Sequence, residues 1–214
     1  MERFWTIRLE ACKTALENNR FRAFVAETPS RARAIVEETL LPKWGVRTAS
    51  WGDSMTLEAT GILEMLADRP DIALIRTFEY GIGSETLMER RRQALLVDLF
   101  FSGSNAVTEE GQLVNLDMVG NRVGGITFGP KQVVLLVGRN KIVPDLESAV
   151  QRIKSHAAPA NAIRHDTLRT PCRETALCMD CRSPDRICNT WVITEKSFPE
   201  GRITVILINQ DLGL

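Results

Sequence analysis

The sequence has no excess charge of either sign, with 27 lysines and arginines against 27 aspartates and glutamates. A chain without a global field is not drawn onto nucleic acid or an anionic membrane, so any charged partner is met locally. Long hydrophobic runs are missing too: none approaches the ~20 apolar residues of a spanning helix. The opening Met1-Glu2-Arg3-Phe4-Trp5 is charged where a secretory signal is apolar. The expectation is a soluble, cytoplasmic protein with neither a nucleic-acid nor a membrane partner. Cysteine is scarce, and five are too few for a secreted disulfide scaffold of 214 residues. Low-complexity, collagenous and internally repeated segments are absent, and 44% hydrophobic with 25% charged residues is ordinary globular composition. The length predicts one domain over residues 1–214.

What is present is an alternation of strand and helix signals. Trp5, Leu9, Cys12 and Leu16 line one face of a helix over residues 2–18, which makes Cys12 a core residue. Residues 21–26 read as a strand, Thr28 as an N-cap with Pro29 at the first helical position, and a helix to about Leu41 follows. Residues 46–51 form a second strand, Ser54 caps a helix carrying Leu57, Ile62, Leu63 and Leu66, and residues 71–75 are a buried-type strand. Ser84 caps a helix to about Leu95 bearing Arg90-Arg91-Arg92, a solvated face with one member turned toward the sheet. Residues 96–101 are the next strand, Glu110-Gly111 is a turn between short extended pieces, and residues 133–137 are the clearest central strand. A helix from Asp145 to about His156 points Leu146, Ala149, Val150 and Ile153 inward, and residues 191–193 and 203–208 are closing strands. Between them residues 157–189 lack periodicity and form a Cys-rich loop near the C-terminus. Near-continuous apolar strands alternating with helices predict an α/β fold, a mostly parallel sheet covered on both faces.

Two places carry chemistry. Cys172, Cys178, Cys181 and Cys188 form Cys-x5-Cys-x2-Cys-x6-Cys on irregular chain. Thiolates select soft metals, and both Zn(II) and iron–sulfur clusters accept four sulfurs, although this spacing is neither that of paired zinc-ribbon knuckles nor that of bacterial ferredoxins. Two disulfides or four unconnected thiols are the alternatives, and a cytosolic chain favours metal over disulfides. His165, seven residues before Cys172, is a spare ligand or simply an exposed histidine. The second place is residues 102–141, where polar groups gather at strand ends. In open α/β sheets ligands sit outside the carboxyl ends of the strands, which is where Asn105, and Asn140 with Lys141, fall. Gly120, Gly124 and Gly125 allow close backbone approach or a sharp turn, and the N–H groups opening the following helix favour an anion. Met118 to Pro144 holds Arg122, Lys131, Arg139 and Lys141 and no acid, which suits a phosphate or carboxylate; tight turns with solvated basic side chains are the alternative. Glu109, Glu110 and Asp117 flank the stretch and offer carboxylates for general-base or nucleophilic work, Glu110 more simply as a turn residue.

The runs Arg90-Arg91-Arg92-Gln93-Ala94-Leu95, Ser102-Gly103-Ser104-Asn105-Ala106-Val107-Thr108, Gly111, Leu113-Val114-Asn115, Asp117, Gly120-Asn121-Arg122, Phe128-Gly129-Pro130-Lys131 and Gly138-Arg139-Asn140-Lys141-Ile142-Val143 together resemble the LUD (lactate utilisation) domain family. Cys178-Met179-Asp180-Cys181 and Ile187-Cys188-Asn189 resemble its single-domain members, and the likeness extends more loosely to both ends of the chain. It implies the three-layer α/β/α, Rossmann-like fold of the superfamily of glucosamine-6-phosphate deaminase, ribose-5-phosphate isomerase and the CoA transferases. In those sugar-phosphate isomerases a strand-end turn, a short excursion and a Gly-rich helix start surround the substrate. Gly103-Ser104-Asn105, Asn115 and Gly120-Asn121-Arg122 stand at similar places, with Asn rather than an acid at position 105.

The expected site therefore binds a small anionic metabolite through Asn105, Asn115, Gly120, Asn121, Arg122, Lys131, Asn140 and Lys141, with an iron–sulfur cluster or zinc at the four cysteines. Larger members of the lactate-utilisation system work in a multisubunit iron–sulfur lactate oxidation complex, which implies other subunits of that system as partners, with self-association a further expectation. The alternatives are a stand-alone sugar-phosphate isomerase or acyl-CoA transferase-like enzyme using Glu109 or Asp117 as catalytic carboxylate, and a ligand-sensing module without catalysis.

Overall fold

A computed structural model describes residues 2–79 and 81–214. The strands are β1 Arg22–Ala26, β2 Thr48–Trp51, β3 Ala73–Ile75, β4 Leu99–Gly103, β5 Ala106–Thr108, β6 Leu113–Asp117, β7 Gln132–Gly138, β8 Ile142–Val143, β9 Thr190–Thr194 and β10 Ile203–Ile208. Six of them form one sheet in the order β1-β10-β7-β4-β2-β3, every neighbouring pair parallel. Side chains alternate across it, as pleating requires. Val134 and Leu136 of β7 and Ile206 and Ile208 of β10 join a core under the helical segments of residues 29–44 and 55–67. Val133, Leu135 and Val137, with Val205 and Leu207, face the opposite core, which contains Leu9, Cys12 and Leu16 of helix Glu2–Asn18 and Ile126 of helix Asn121–Thr127. Both faces are buried, which explains strands that read as unbroken apolar runs.

A second, mixed sheet of four strands, β8-β5-β6-β9, leaves the carboxyl end of β4. Its inner face packs Ala106, Val114 and Leu116 on Ala149, Ile153 and Ala158. The Glu110-Gly111 turn joins β5 to β6, and Gly111 sits at φ 80° with the helix backbone at Ala15 so near that a Cβ would meet it at 2.6 Å. A side chain there is excluded by backbone conformation and by space.

Several elements differ from the sequence reading, with identifiable causes. The helix expected to end near Leu41 runs as Pro29–Ala34, a π-helical turn Ile35–Leu40, and Leu41–Trp44. The helix from Asp145 likewise continues through a π turn, Ile153–Ala157, into Ala158–Ile163. Each π turn lies just before a proline, Pro42 or Pro159. Proline has no N–H and clashes with the carbonyl four residues back, and a widened turn absorbs both faults. Residues 157–189 are therefore not all loop: helices Ala158–Ile163 and Pro171–Thr175 lie within them. Val150, expected inward, is 36% exposed and lies on the helix's outer side. Gly61 at φ 67° breaks the helix capped by Ser54 into Met55–Glu58 and Ile62–Ala67. Gly83 rather than Ser84 occupies the cap of helix Ser84–Gln93. The strand expected over residues 71–75 is three residues long and half-exposed, because β3 is a sheet edge.

Candidate functional site

In this sheet β2 continues toward β3 through helices on one face, whereas β4 continues toward β7 through elements on the other. The loops leaving β2 and β4 therefore part in opposite directions and open a crevice at their carboxyl ends, the switch point where doubly wound folds bind ligands. A cavity of about 270 Å³ occupies it, walled by Asp53 and Ser54 after β2 and by Ser104 and Asn105 after β4. Lys141, from the short turn after β7, forms part of the same wall.

Arg122 organises one side. Its Nη1 donates to the Gly103 carbonyl at 3.2 Å and to Asn115 Oδ1 at 2.8 Å; its Nη2 donates to Asn105 Oδ1 at 2.8 Å and to the Leu116 carbonyl at 2.9 Å. Asp117 Oδ1 lies 3.7 Å from its Nε. Burial pulls the guanidinium below its ordinary pKa, and the Asp117 and Asp53 carboxylates oppose that shift. The side chain lies so close over Gly52 that a Cβ there would meet its Cγ at 2.7 Å. Arg122 thus clamps the end of β4 to β6. Asn115, fully buried beneath the cavity, and Asn105, which also accepts from the Leu116 N–H at 2.9 Å, are parts of that clamp.

Asp117 lines the cavity, but its Oδ2 accepts from the backbone N–H of Arg122 at 3.2 Å and of Val123 at 3.4 Å. The start of helix Asn121–Thr127, expected to attract an external anion, is already capped by this carboxylate. Gly120 provides the entry turn at φ 94°, Gly125 lets the helix press on Phe100, and Asn121 lines the cavity.

Lys141 is 5% exposed, and its Nζ donates to Thr56 Oγ1 at 3.0 Å. Burial, then the nearby Arg152 and Arg122 guanidinium groups, lower its pKa from 10.5 to about 7. Arg91, the inward member of the arginine triplet, also lines the cavity; its guanidinium carbon lies 5.7 Å from the Phe78 ring centroid and its Nε is buried without a hydrogen-bond partner among the described residues. Arg90 pairs instead with Glu79, and Arg92 with Glu89. Arg164 pairs with Asp53 at 3.5 Å. The cavity's acids are thus engaged by Arg122 and Arg164, while Lys141 and Arg91 have no carboxylate within 4 Å among the described residues.

Three expected residues lie elsewhere. Lys131 precedes β7, at the opposite end of the strand from Lys141, with its side chain 77% exposed and paired with Asp98 at 2.7 Å. Glu109 pairs with Arg8 at 2.7 Å, outside the cavity. Asn140 does not reach the cavity; its Oδ1 accepts from the Leu212 N–H at 3.1 Å. Asp53, Thr56, Phe78 and Arg164 were not anticipated. Asp53 was within reach of the strand-end rule, since it follows β2 as Asn105 follows β4.

All five cysteines are free thiols. Cys12 is in the core, where burial pushes its thiol up to about 12. Cys172, Cys178, Cys181 and Cys188 line one small cavity of about 20 Å³. Burial, then the charges of the other three thiols, raise Cys188 to about 11, opposed by Arg186. Among the described residues no three His, Cys, Asp or Glu side chains stand close enough to hold a metal ion. His165 lines the larger cavity, not this one. Ile187 belongs to the walls of both, and Asn189 ties the Cys segment to the larger rim by donating from Nδ2 to the Met118 carbonyl at 3.1 Å.

Fold and cavity define an open α/β protein with a cavity at the switch point of a parallel sheet. The family model of the LUD domain matches residues 9–208, and the chain belongs to that family. A solved structure of a DUF162 family protein from Deinococcus radiodurans is similar over 96% of this chain and 98% of its own, with a TM-score of 0.51 and 12% identity, a likeness of fold. No curated protein matches the chain. No helix among the described residues is long and apolar enough to cross a membrane.

Proposed function

We propose that this LUD-domain protein serves lactate utilisation by binding a small organic anion, a carboxylate or phosphate ester, in the cavity between β2 and β4. The observation that carries the reading is Arg91, a cation at the cavity wall whose Nε is buried without a hydrogen-bond partner and which has no carboxylate partner among the described residues, while the cavity's two acidic side chains are already engaged. A buried cation left unpaired is costly, and an anionic guest supplies the missing charge. Met55, Phe78, Met118 and Val119 are exposed apolar side chains around the same cavity, which suits a guest with an apolar part. Native-state binders raise the unfolding midpoint by mass action. L-lactate, pyruvate, a sugar phosphate and coenzyme A are therefore to be ranked by thermal shift. At least one is expected to stabilise the wild type and to lose most of that effect in Arg91→Gln. Absence of a shift with all four, or an unchanged shift in the variant, overturns the reading.

The four cysteines are proposed as a metal site beside it. A shared cavity of about 20 Å³ suits a single ion, and four soft donors suit zinc or iron. The thiols must close inward and lose their protons, and a bound cation favours both by reversing the repulsion that raises Cys188. Zinc would fix the loop; iron, alone or in a cluster, would supply electron transfer near the organic anion and suit association with other lactate-oxidation subunits. Zinc and iron quantitation, with an absorbance spectrum before and after dithionite, on anaerobically purified protein distinguishes them. Protein with neither metal overturns the metal assignment and leaves the anion reading intact.

A further inference from the structure

We propose that Lys141 is a nucleophilic amine that condenses with the carbonyl carbon of an anionic carbonyl compound, an oxo acid or a phosphorylated ketone, bound in the cavity between β2 and β4. The proposal rests on the anion-binding reading of that cavity and adds covalent chemistry to it. Lys141 stands at the cavity wall, 5% exposed, held by the turn that ends β7. Thr56 Oγ1 donates its proton to the Leu212 carbonyl at 3.1 Å, so toward Lys141 it acts as acceptor, receiving an N–H at 3.0 Å. A neutral amine held in this way has one N–H directed at Thr56 and its lone pair left for another atom. No carboxylate lies within 4 Å among the described residues to keep the amine protonated. The charged groups that act on it, Arg152 and Arg122, are both cationic, and the cavity's acidic side chains, Asp53 and Asp117, are committed to Arg164 and Arg122. Desolvation and neighbouring cations are the two means by which a lysine becomes a nucleophile near neutral pH, and both act here. The lowering of its pKa to about 7 agrees with that placement.

The step balances without an oxidant or reductant. The Nζ lone pair attacks the carbonyl carbon and a C–N bond forms. Both amine protons pass in turn to the former carbonyl oxygen, which leaves as water as the C–O bond breaks and a C=N bond forms, and the neutral imine that remains is hydrolysed back by water. Arg91, lining the same cavity, is the counter-charge for the guest's carboxylate or phosphate. Once protonated, the imine nitrogen is an electron sink, so the site suits bond cleavage or proton abstraction at the carbon beside the former carbonyl.

The test is reductive trapping on the full chain. Protein is incubated with pyruvate or dihydroxyacetone phosphate, with neutral dihydroxyacetone as control, reduced with borohydride, digested and mapped by mass spectrometry. Expected is an adduct at Lys141 with at least one anionic probe, formed on the order of 100-fold faster at pH 7 than at the exposed Lys131, because burial and neighbouring cations favour the unprotonated Lys141 amine. The rate should rise with pH and level off above about 7. Lys141→Arg and Lys141→Met should lose this adduct while Lys131 labels as before. No adduct at Lys141 with either anionic probe overturns the proposal, as do labelling no faster than at Lys131 and equal labelling by the neutral control. Stabilisation by pyruvate without an adduct defeats the covalent step and leaves the anion reading standing; an adduct without anion stabilisation does the reverse. Protein that shows neither loses both.

Discussion

The two cavities of this chain share Ile187 in their walls and are built in opposite ways. The larger is framed by parallel strands and by the buried hydrogen bonds of Arg122, so its shape is set by folding itself. The smaller is framed by residues 172–188, which have a single short helix and are held largely by surface ion pairs: Arg169 with Asp185 at 2.8 Å, and Lys154 and Arg186 each with Asp180 at 3.0 Å. Exposed pairs contribute little to stability. On the proposed reading, a site of the first kind is ready-made for a guest, whereas one of the second kind would be completed by its guest.

Perturbing the strand-framed cavity should give large effects whether or not a ligand is present. The largest is the pH dependence of Lys141. Its folded-state pKa of about 7 lies below the ordinary 10.5, so the unfolded chain holds the extra proton between those values and the native state gains stability as pH rises through that window. Below pH 7 both states carry the proton and the full cost of a buried ammonium remains. Lys141→Met removes this dependence. The stability difference between wild type and variant should change by about 4 kcal/mol between pH 10 and pH 6, read by urea unfolding at each pH; a pH-independent difference would show that Lys141 is not desolvated. Next is Arg122→Ala, which leaves two buried carbonyls and the Asn105 and Asn115 amides short of donors and should cost about 3–5 kcal/mol in urea unfolding. A loss below about 1 kcal/mol would mean that the clamp does not set the cavity.

This contrast also explains what could be read from the sequence. Strand-framed features were legible: the parallel sheet, Cys12 in the core, the Thr28 and Ser54 caps, and the strand-end positions of Asn105 and Lys141. What failed was the inference from closeness along the chain to closeness in space. The acid-free stretch from Met118 to Pro144 looked like one basic patch, yet β7 runs through it. Seven strand residues at about 3.3 Å each put Lys131 and Lys141 at opposite ends of the sheet. Arg139 pairs with Asp211, and Arg122 turns inward onto acceptors from β4 and β6 that no local pattern pairs with it. The helix ends expected near Leu41 and His156 failed for a related reason: π turns carry both helices onward, past Pro42 and Pro159.

Effects in the Cys segment should be smaller and should depend on metal. Cys188 packs against the Ala149–Ile153 cluster beneath the second sheet, so Cys188→Ser should cost about 1 kcal/mol in chelated protein and clearly more in metal-loaded protein, where a ligand is lost as well as a contact. Equal costs in both forms would argue against a metal on this residue. The smallest effect is expected of Asp185→Asn. Arg169 holds the Asp185 carboxyl below its usual pKa, but Arg169 is 79% exposed, so solvent screens most of the attraction. The unfolding midpoint should not move measurably. The Asp185 carboxylate also accepts from the Arg169 backbone N–H at 3.0 Å and so fixes the path of the segment entering the Cys cavity. Its loss should speed limited proteolysis between Arg164 and Asn189 in chelated protein, and metal should suppress the difference, because local opening is governed by the contacts of that segment rather than by global stability. A shift in the midpoint equal to that of a core substitution would erase the distinction between the two cavities, since it would show that the Cys segment unfolds with the strands.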